Sequence, residues 1–240
     1  MAPDVVLLHG FTHTGASWGP VVAALGKSYR ALAPDIRGHG SASDRRPVTV
    51  EAVLDDLAAL APARFTLAGY SMGGRLALHA ALALPDRVER LVLIGASPGI
   101  ADRAEREARR AADNALADQA ERSTFEVFAG RWARTPVLAG QPPDVAAAVD
   151  ADRRRNQPAG LAGALRGLGT GALPSLWDRL PEIARPVALV VGERDQKFRA
   201  IASEMAAGLR RADVVVVPGA GHAVHLEAPD AVARVIAEGV

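Results

Sequence analysis

Short apolar runs rich in β-branched residues alternate with stretches of helical periodicity near both ends of the chain. The runs that end in glycine or a turn residue are Val5–Leu8, Arg30–Ala33, Phe65–Ala68, Leu91–Ile94, Val187–Val191 and Val214–Val217. Between them, stretches such as Val50–Leu60 and Met72–Leu84 carry apolar residues at helical spacing. Fully apolar strands that alternate with helices are typical of a parallel sheet covered on both faces. The pattern therefore predicts an α/β fold with a mostly parallel sheet flanked by helices.

The middle of the chain, residues 101–180, contains no strand-like run. It is rich in alanine and arginine, has helical periodicity, and is interrupted by Pro136, Pro142, Pro143, Pro158 and Pro174. We therefore expect several short helices inserted between two parts of one sheet domain. This predicts a core of residues 1–100 and 181–240 with a helical cap of residues 101–180, and 240 residues are enough for both.

Composition excludes several classes of function. The formal net charge is +1, which gives no support to nucleic-acid binding, and the absence of cysteine excludes disulfides, thiolate zinc sites and a cysteine nucleophile. No uninterrupted apolar run approaches the roughly 18 residues that span a bilayer. The first residues do not resemble a signal peptide. We therefore expect a cytoplasmic protein that needs no membrane or protein partner.

Residues 65–75, "FTLAGYSMGGR", combine a strand, a G-x-S-x-G turn and the start of a helix. Gly69 and Gly73 permit a sharp turn that exposes the hydroxyl of Ser71. The N-terminus of the following helix favours negative charge near this hydroxyl. Glycine and serine also occur in ordinary turns, but in this strand-to-helix context the pattern predicts that Ser71 is catalytic.

A catalytic serine requires a base, and the base requires an orienting carboxylate. His222 follows the last predicted strand in a glycine-rich loop and is the preferred base. His225 and His79 are weaker candidates, because both are expected to lie in helices.

The acid candidate is Asp195, which follows the penultimate strand in "VALVVGERD", with Glu193 as its competitor. The order Ser71, Asp195, His222 is the one expected of α/β-hydrolases.

The segment "LLHGF" places a free backbone amide after the first strand. The amides of Phe11 and Met72 are therefore expected to converge on a developing negative charge. Histidines also occur in the glycine-rich loops "HGF" and "PDIRGHGSAS", but these two lack a third ligand. We expect no metal ion.

Arginines near the predicted serine favour an acidic substrate. Arg75 follows Ser71 by four residues, so both lie on one side of the helix. Further arginines in the middle region are Arg103, Arg106, Arg110, Arg153, Arg154 and Arg155. Guanidinium groups bind carboxylates in a bidentate manner, which suits a small-molecule polycarboxylate. Pairs such as Asp102 with Arg106 and Glu105 with Arg109 leave open a merely solvated helix.

The segment "GERDQKFRAI" (192–201) resembles a signature of the 2-succinyl-6-hydroxy-2,4-cyclohexadiene-1-carboxylate synthases, a menaquinone-pathway family. Other segments that resemble this family, in the same order, are "HGFTHTGASW", "GYSMGGR", "SPGI", "RWARTPV" and "NQPAGLAGALRGLGTGALPSLWDRL". The matches cover the predicted core and the predicted cap. The resemblance implies an α/β-hydrolase fold that carries a lyase activity without a cofactor.

The family substrate, 2-succinyl-5-enolpyruvyl-6-hydroxy-3-cyclohexene-1-carboxylate, has three carboxylates and loses pyruvate. The resemblance implies that Arg75, Arg106 and Arg153 bind it, although Arg154 and Arg155 are adjacent to Arg153 and a one-residue shift would exchange them. It also implies pocket positions for Tyr70 and Trp132, and packing within the cap is the alternative for Trp132. Where the family usually has "HGFTG", this chain has "HGFTHTG", which places His13 near the mouth.

The implied mechanism uses Ser71, activated by His222, to remove a ring proton. Two other functions stay open at this point. A serine hydrolase, either a carboxylesterase or a C–C bond hydrolase, would use the same three residues. A receptor of this fold would bind a ligand without turnover, although an intact triad argues against it.

Overall fold

Six parallel strands form one sheet in the computed structural model, which describes residues 2–135 and 140–238. The strands are β1 (Asp4–Leu8), β2 (Arg30–Leu32), β3 (Phe65–Tyr70), β4 (Val88–Ile94), β5 (Val187–Gly192) and β6 (Ala212–Val217). Their order across the sheet is β2-β1-β3-β4-β5-β6, and every neighbouring pair is parallel. Each of the predicted apolar runs coincides with one of these strands, so the predicted sheet is confirmed.

The central strands are largely apolar because both faces of the sheet are buried. Along β1, Val6 and Leu8 belong to the hydrophobic core on one face, whereas Val5 and Leu7 belong to the core on the other face. Side chains alternate between the faces of a strand, so a strand buried on both sides needs apolar residues at successive positions.

Helices cover both faces of this sheet. They are α1 (Gly19–Leu25), α2 (Val50–Leu60), α3 (Met72–Ala83), α8 (Gln196–Gly208), α9 (Val224–Glu227) and α10 (Pro229–Glu238). Residues of α2, α3 and α8 join one core, whereas residues of α1, α9 and α10 join the other. In the ranges that the structure describes, no helix has both the length and the apolar character needed to span a bilayer.

Four further helices lie between β4 and β5. They are α4 (Arg103–Arg122), α5 (Phe125–Trp132), α6 (Pro143–Arg153) and α7 (Pro158–Leu168), and we call them the inserted helices. Residues of α4, α5 and α7 share a small core of their own, which includes Ala117, Phe128 and Leu161. The described residues between β4 and β5 form no strand, and the division into core and cap at residues 101 and 180 stays a prediction.

Proline begins two of the inserted helices. Pro143 and Pro158 are the first residues of α6 and α7, where the missing N–H costs nothing and the fixed φ favours the helix. Pro136, which the sequence also singles out, and the end of "RWARTPV" lie outside the described residues.

Candidate active site

Ser71 occupies a strained turn between β3 and α3. Its φ of 51° and ψ of −108° lie in a region that few non-glycine residues adopt. A Cβ at Gly69 would lie 2.6 Å from the carbonyl carbon of Gly73, and a Cβ at Gly73 would lie 2.6 Å from the carbonyl oxygen of His9. Both positions therefore require glycine, and the close backbone approach holds the serine at the turn.

His222 and Asp195 lie beside Ser71 because the strands that precede them end at the same side of the sheet. His222 follows β6, and its Nε2 lies 3.3 Å from the Oγ of Ser71. Its Nδ1 lies 2.6 Å from the Oδ2 of Asp195, which follows β5. A neutral imidazole with its proton on Nδ1 donates to the carboxylate and leaves Nε2 free to accept the serine proton. All three predicted residues are thus brought together.

A backbone contact orients the carboxylate of Asp195. Asp195 is the N-cap residue of α8, and its Oδ1 accepts a hydrogen bond of 3.3 Å from the amide of Phe198. The cap fixes one oxygen, so the other faces His222.

The competing candidates lie elsewhere. Glu193 accepts a hydrogen bond of 2.8 Å from the amide of Gly219. His225 is fully buried, its ring centroid is 4.2 Å from that of Tyr70, and burial holds its pKa well below the usual value. His79 lies within α3, and burial lowers its pKa to about 4.

A cavity of about 1010 Å³ lies over the serine, between the sheet and the inserted helices. Phe11, Ser71, Met72 and His222 line it. Met72 is the first residue of α3, so its amide is one of the donors that a helix cannot satisfy internally. The predicted donor residues and the serine thus share one chamber.

Arg75 lines the same cavity from α3. Its guanidinium is buried and donates from Nη1 to the hydroxyl of Thr170, but its Nε has no partner among the described residues. Burial, and then the positive charge of Arg109, lowers its pKa to about 10, while Asp113 acts in the opposite direction. Arg75 is therefore a protonated and incompletely satisfied cation.

Arg106, in contrast, does not line the cavity. Its guanidinium donates to the carbonyl oxygens of Ile100 at 2.9 Å and Ala101 at 3.3 Å. Arg109 lines the cavity instead, with its Nε 2.8 Å from the Oδ1 of Asp113. The physical reason is the rotation of α4, because the buried positions Asp113, Ala117 and Ala120 turn this face inward and Arg109 lies four residues before Asp113.

The residues that form the buried face of α4 could have indicated Arg109 as a cavity residue from the sequence. In the sequence, Arg109 precedes Asp113 by four residues, and Ala117 and Ala120 continue the same helical face. This spacing indicates the inward face of α4 better than the possible pair of Glu105 with Arg109 does.

The remaining predicted pocket residues divide into two groups. Trp132 lines the cavity and packs edge-on against Phe11, with ring centroids 4.8 Å apart. Tyr70 and Arg153 do not line it. They lie in an adjoining buried cluster, where the Nε of Arg153 is 3.2 Å from the Oγ1 of Thr12 and the Tyr70 ring centroid is 5.3 Å from that of His222.

The three consecutive arginines differ in their surroundings. Arg153 is buried, and its Nη2 has no partner within the described ranges. Arg154 is exposed and pairs with Asp150 at 2.9 Å, and Arg155 is exposed and lies 3.7 Å from Asp152. Of the three, Arg153 therefore points into the protein.

His13 is buried rather than at the mouth of the cavity. Its Nδ1 lies 3.5 Å from the Oδ2 of Asp152, and its ring centroid lies 5.6 Å from that of Tyr70. Burial lowers the pKa of its imidazole. Across residues 2–135 and 140–238, no three or more His, Asp or Glu side chains are arranged to hold a metal ion.

Comparison with known proteins identifies the family. Residues 5–235 match the model of the alpha/beta hydrolase family. The chain is 39% identical over 245 residues to a Bacillus subtilis protein assigned as 2-succinyl-6-hydroxy-2,4-cyclohexadiene-1-carboxylate synthase, covering 98% of this chain and 89% of that protein. It is 33% identical to the synthase of that name from Enterobacter sp. strain 638, over 98% and 91%.

A solved structure agrees with these relatives. MenH from S. aureus superposes with a TM-score of 0.92 at 30% identity, covering 98% of this chain and 92% of that one. The chain therefore belongs to the alpha/beta hydrolase family and, within it, to the 2-succinyl-6-hydroxy-2,4-cyclohexadiene-1-carboxylate synthases.

Proposed function

We propose that this chain is a lyase that eliminates pyruvate from 2-succinyl-5-enolpyruvyl-6-hydroxy-3-cyclohexene-1-carboxylate, with Ser71, His222 and Asp195 as its catalytic residues. The observation that carries the proposal is Arg75. A buried guanidinium with an unpartnered nitrogen is costly in a free protein, and an anionic ligand removes that cost. Arg75 shares its cavity with the Ser71 hydroxyl, so the anion it binds lies where the chemistry occurs. The two named synthases support the choice of reaction.

The cavity suits a molecule with several carboxylates. Arg75 and Arg109 supply cations from two sides, and their mutual repulsion is relieved when carboxylates bind between them. Trp132 and Phe11 supply an apolar wall for the ring. Arg153 supplies a third cation from the adjoining cluster, where its Nη2 also lacks a partner among the described residues. Arg106 keeps its bonds to backbone carbonyls and has no direct part in this scheme.

The names of substrate and product define the proton that is lost. The substrate has its ring double bond at C3 and its enolpyruvyl ether at C5, whereas the product has double bonds at C2 and C4. The C2–H bond therefore breaks, its electron pair forms C2=C3, the old double bond moves to C4=C5, and the C5–O bond breaks. Enolpyruvate leaves and takes up a proton to become pyruvate. Because C2 adjoins the succinyl ketone, the intermediate charge resides largely on that ketone oxygen.

Ser71 acts as the base in this scheme. His222 accepts the hydroxyl proton at Nε2, and Asp195 stabilises the resulting imidazolium. The ketone oxygen lies among the amides of Phe11 and Met72, and one such donor is typically worth about 3–4 kcal/mol in the transition state. The same groups that serve ester hydrolysis elsewhere thus serve proton abstraction here.

A direct assay tests the proposal. We expect the protein to release one pyruvate per cyclohexadiene product from the enolpyruvyl substrate, and to hydrolyse a simple ester such as 4-nitrophenyl acetate poorly. Efficient ester hydrolysis without pyruvate would favour the serine hydrolase alternative. Ligand binding with no turnover of either compound would favour a receptor.

Arg109 and Arg106 provide a matched pair on α4. Arg109→Ala is expected to raise KM for the enolpyruvyl substrate by about tenfold to a hundredfold, because one charge-assisted contact of roughly 1.5–3 kcal/mol is lost. Arg106→Ala is expected to change KM less than about threefold on the same scale. Steady-state pyruvate assays measure both values.

Asp113 complicates the first variant, since Arg109→Ala leaves its buried carboxylate without the 2.8 Å ion pair. Arg109→Lys keeps a positive charge there, and thermal unfolding shows how much stability each variant loses. A larger KM effect for Arg106→Ala than for Arg109→Ala would reverse the assignment.

A further inference from the structure

The loop of residues 10–15, here called the oxyanion loop, carries the Phe11 amide and has an unusual backbone. Thr12 has a φ of 66°, in the left-handed region that a β-branched residue rarely adopts. The amide of His13 closes a turn onto the carbonyl of Gly10 at 3.1 Å. A strained residue of this kind persists only where its surroundings over-determine the conformation.

One restraint comes from the sheet domain. The imidazole of His9 donates from Nδ1 to the carbonyl of Gly10 at 2.9 Å, and its Nε2 accepts from the amide of Ile36 at 2.9 Å. Burial lowers the pKa of His9 to about 4, so the ring stays neutral and keeps both roles. This contact fixes the start of the loop but not its far end.

The far end is held by the last turn of α6 and the residues that follow it. The carboxylate of Asp152 accepts two hydrogen bonds from Thr14, one from the amide at 2.9 Å and one from the hydroxyl at 2.5 Å. Asn156 donates from Nδ2 to the carbonyl of Thr12 at 2.9 Å. Arg153 donates from Nε to the Thr12 hydroxyl at 3.2 Å. Three side chains from the end of α6 and the residues that follow it therefore form hydrogen bonds to two residues of the oxyanion loop.

These bonds lie out of solvent, where competition from water is weak. Asp152, Arg153, Asn156, Thr12 and Thr14 are all buried. Burial raises the pKa of the Asp152 carboxyl, but the neighbouring His13 imidazole and the hydrogen bonds from Thr14 outweigh it and hold the pKa below the ordinary value. Asp152 is therefore an ionised acceptor, and charge-assisted bonds of this type are roughly twice as strong as neutral ones.

We propose that Asp152 and Asn156 are positioning residues that fix the oxyanion loop, so that the Phe11 amide faces the oxygen on which charge develops. They touch neither the substrate nor the reacting atoms, and they act through Thr14 and Thr12. This inference rests on the proposed function, because it assumes that Phe11 is an oxyanion donor. It makes α6 part of the catalytic framework, although its residues do not line the cavity.

Asp152→Asn is the first test. The amide keeps the size of the side chain and one acceptor oxygen, but it turns an NH₂ group toward one of the two donors of Thr14. We expect kcat to fall by about tenfold to a hundredfold, since small misplacement of a catalytic group has effects of this order. KM is expected to change less than about threefold, because the cavity wall is unaltered.

Asp150→Asn is the matched control. Asp150 lies on the same helix, is half exposed, pairs with the exposed Arg154, and makes no contact with the loop. This variant should keep kcat within about twofold of the original protein, as expected for a weak surface pair.

A second pair of variants tests the same contact from the side of Thr14, in case Asp152→Asn folds poorly. Thr14→Val removes the hydroxyl that donates to Asp152 and accepts from the amide of Ala16 at 3.2 Å, and it should lower kcat by about tenfold. Thr14→Ser keeps both bonds and should retain more activity than Thr14→Val. In the double variant Thr14→Val with Asp152→Asn, the losses should not multiply, because both changes break the same contact.

Thermal unfolding shows whether Asp152→Asn and Thr14→Val are folded. An unaltered kcat in both folded variants would overturn the positioning role. A loss in kcat matched entirely by a loss of folded protein would also overturn it. If the original protein releases no pyruvate, the lyase proposal fails by itself. The same variants are then assayed for ester hydrolysis, which uses the same oxyanion loop, and the same pattern of losses is expected there.

Discussion

Ser71→Ala is expected to lower kcat for pyruvate release by at least about a thousandfold, because a positioned proton-transfer group contributes roughly 10²–10⁴ and the activated oxygen is lost entirely. The Nε2 of His222 faces the Ser71 hydroxyl at 3.3 Å, and alanine offers it nothing to deprotonate. Single-turnover measurement of pyruvate with excess enzyme detects the residual rate.

The fold should survive this change. Ser71 already adopts a φ of 51°, and alanine at that position bears the same strain as serine. The variant should therefore unfold at nearly the same temperature as the original protein. It should also bind the enolpyruvyl substrate with similar affinity, because Arg75, Arg109 and Trp132 are unchanged. Turnover close to the original rate in a folded, ligand-binding variant would exclude Ser71 as the base.

Much of this site follows from the order of elements along the chain. Ser71, Asp195 and His222 each lie in the segment that follows a strand, and the strands β3, β5 and β6 are all parallel. Residues that follow parallel strands meet at one side of the sheet, so a sequence that predicts the strands also predicts which loops converge. The strands themselves are predictable because both of their faces are buried. Val5 and Leu7 pack in one core and Val6 and Leu8 in the other, so the strand is a continuous apolar run in the sequence.

The rotation of α4 was not predictable in the same way. Arg103, Arg106 and Arg110 share one side of a helical wheel, and local spacing gives no indication of which side packs inward. The choice depends on Asp113, whose polar side chain is buried and accepts a hydrogen bond from the amide of Gly171. The family resemblance implies Arg106 as the arginine of α4 in the site, whereas Arg109 is the arginine of α4 that lines the cavity.

Contacts between segments that are distant along the chain could not be predicted from the sequence either. Asp152 and Thr14 are 138 residues apart, and neither belongs to a motif that predicts the other. The expected position of His13 near the mouth of the cavity was wrong for the same reason. A histidine in a loop beside the active site suggests exposure, but Asp152, Tyr70 and His225 enclose it.

Arg75→Met is expected to lower kcat/KM by about a hundredfold while it leaves the free protein as stable as before, or more so. Methionine fills much of the same volume but cannot bind a carboxylate, and loss of a charge-assisted contact of about 1.5–3 kcal/mol accounts for most of the effect. Removal of a buried cation with an unpartnered Nε also relieves a desolvation cost and the repulsion from Arg109. Steady-state kinetics and thermal unfolding without ligand measure the two effects.

The two outcomes together identify a functional cation, because a structural arginine would show the opposite pattern. If Arg75 served mainly to hold Thr170 and the end of α7, Arg75→Met would lower the unfolding temperature and alter kcat/KM little.

Arg75→Lys separates the effect of the charge from the effect of the guanidinium geometry. Lysine keeps the charge but lacks the planar fork, so it should recover only part of the lost kcat/KM. Added substrate should stabilise the original protein more than Arg75→Met, since a ligand that binds the folded state raises its stability by an amount that grows with the logarithm of the ratio of ligand concentration to Kd. An unchanged kcat/KM in the folded variant would contradict a carboxylate contact at Arg75 and remove the strongest support for an acidic substrate.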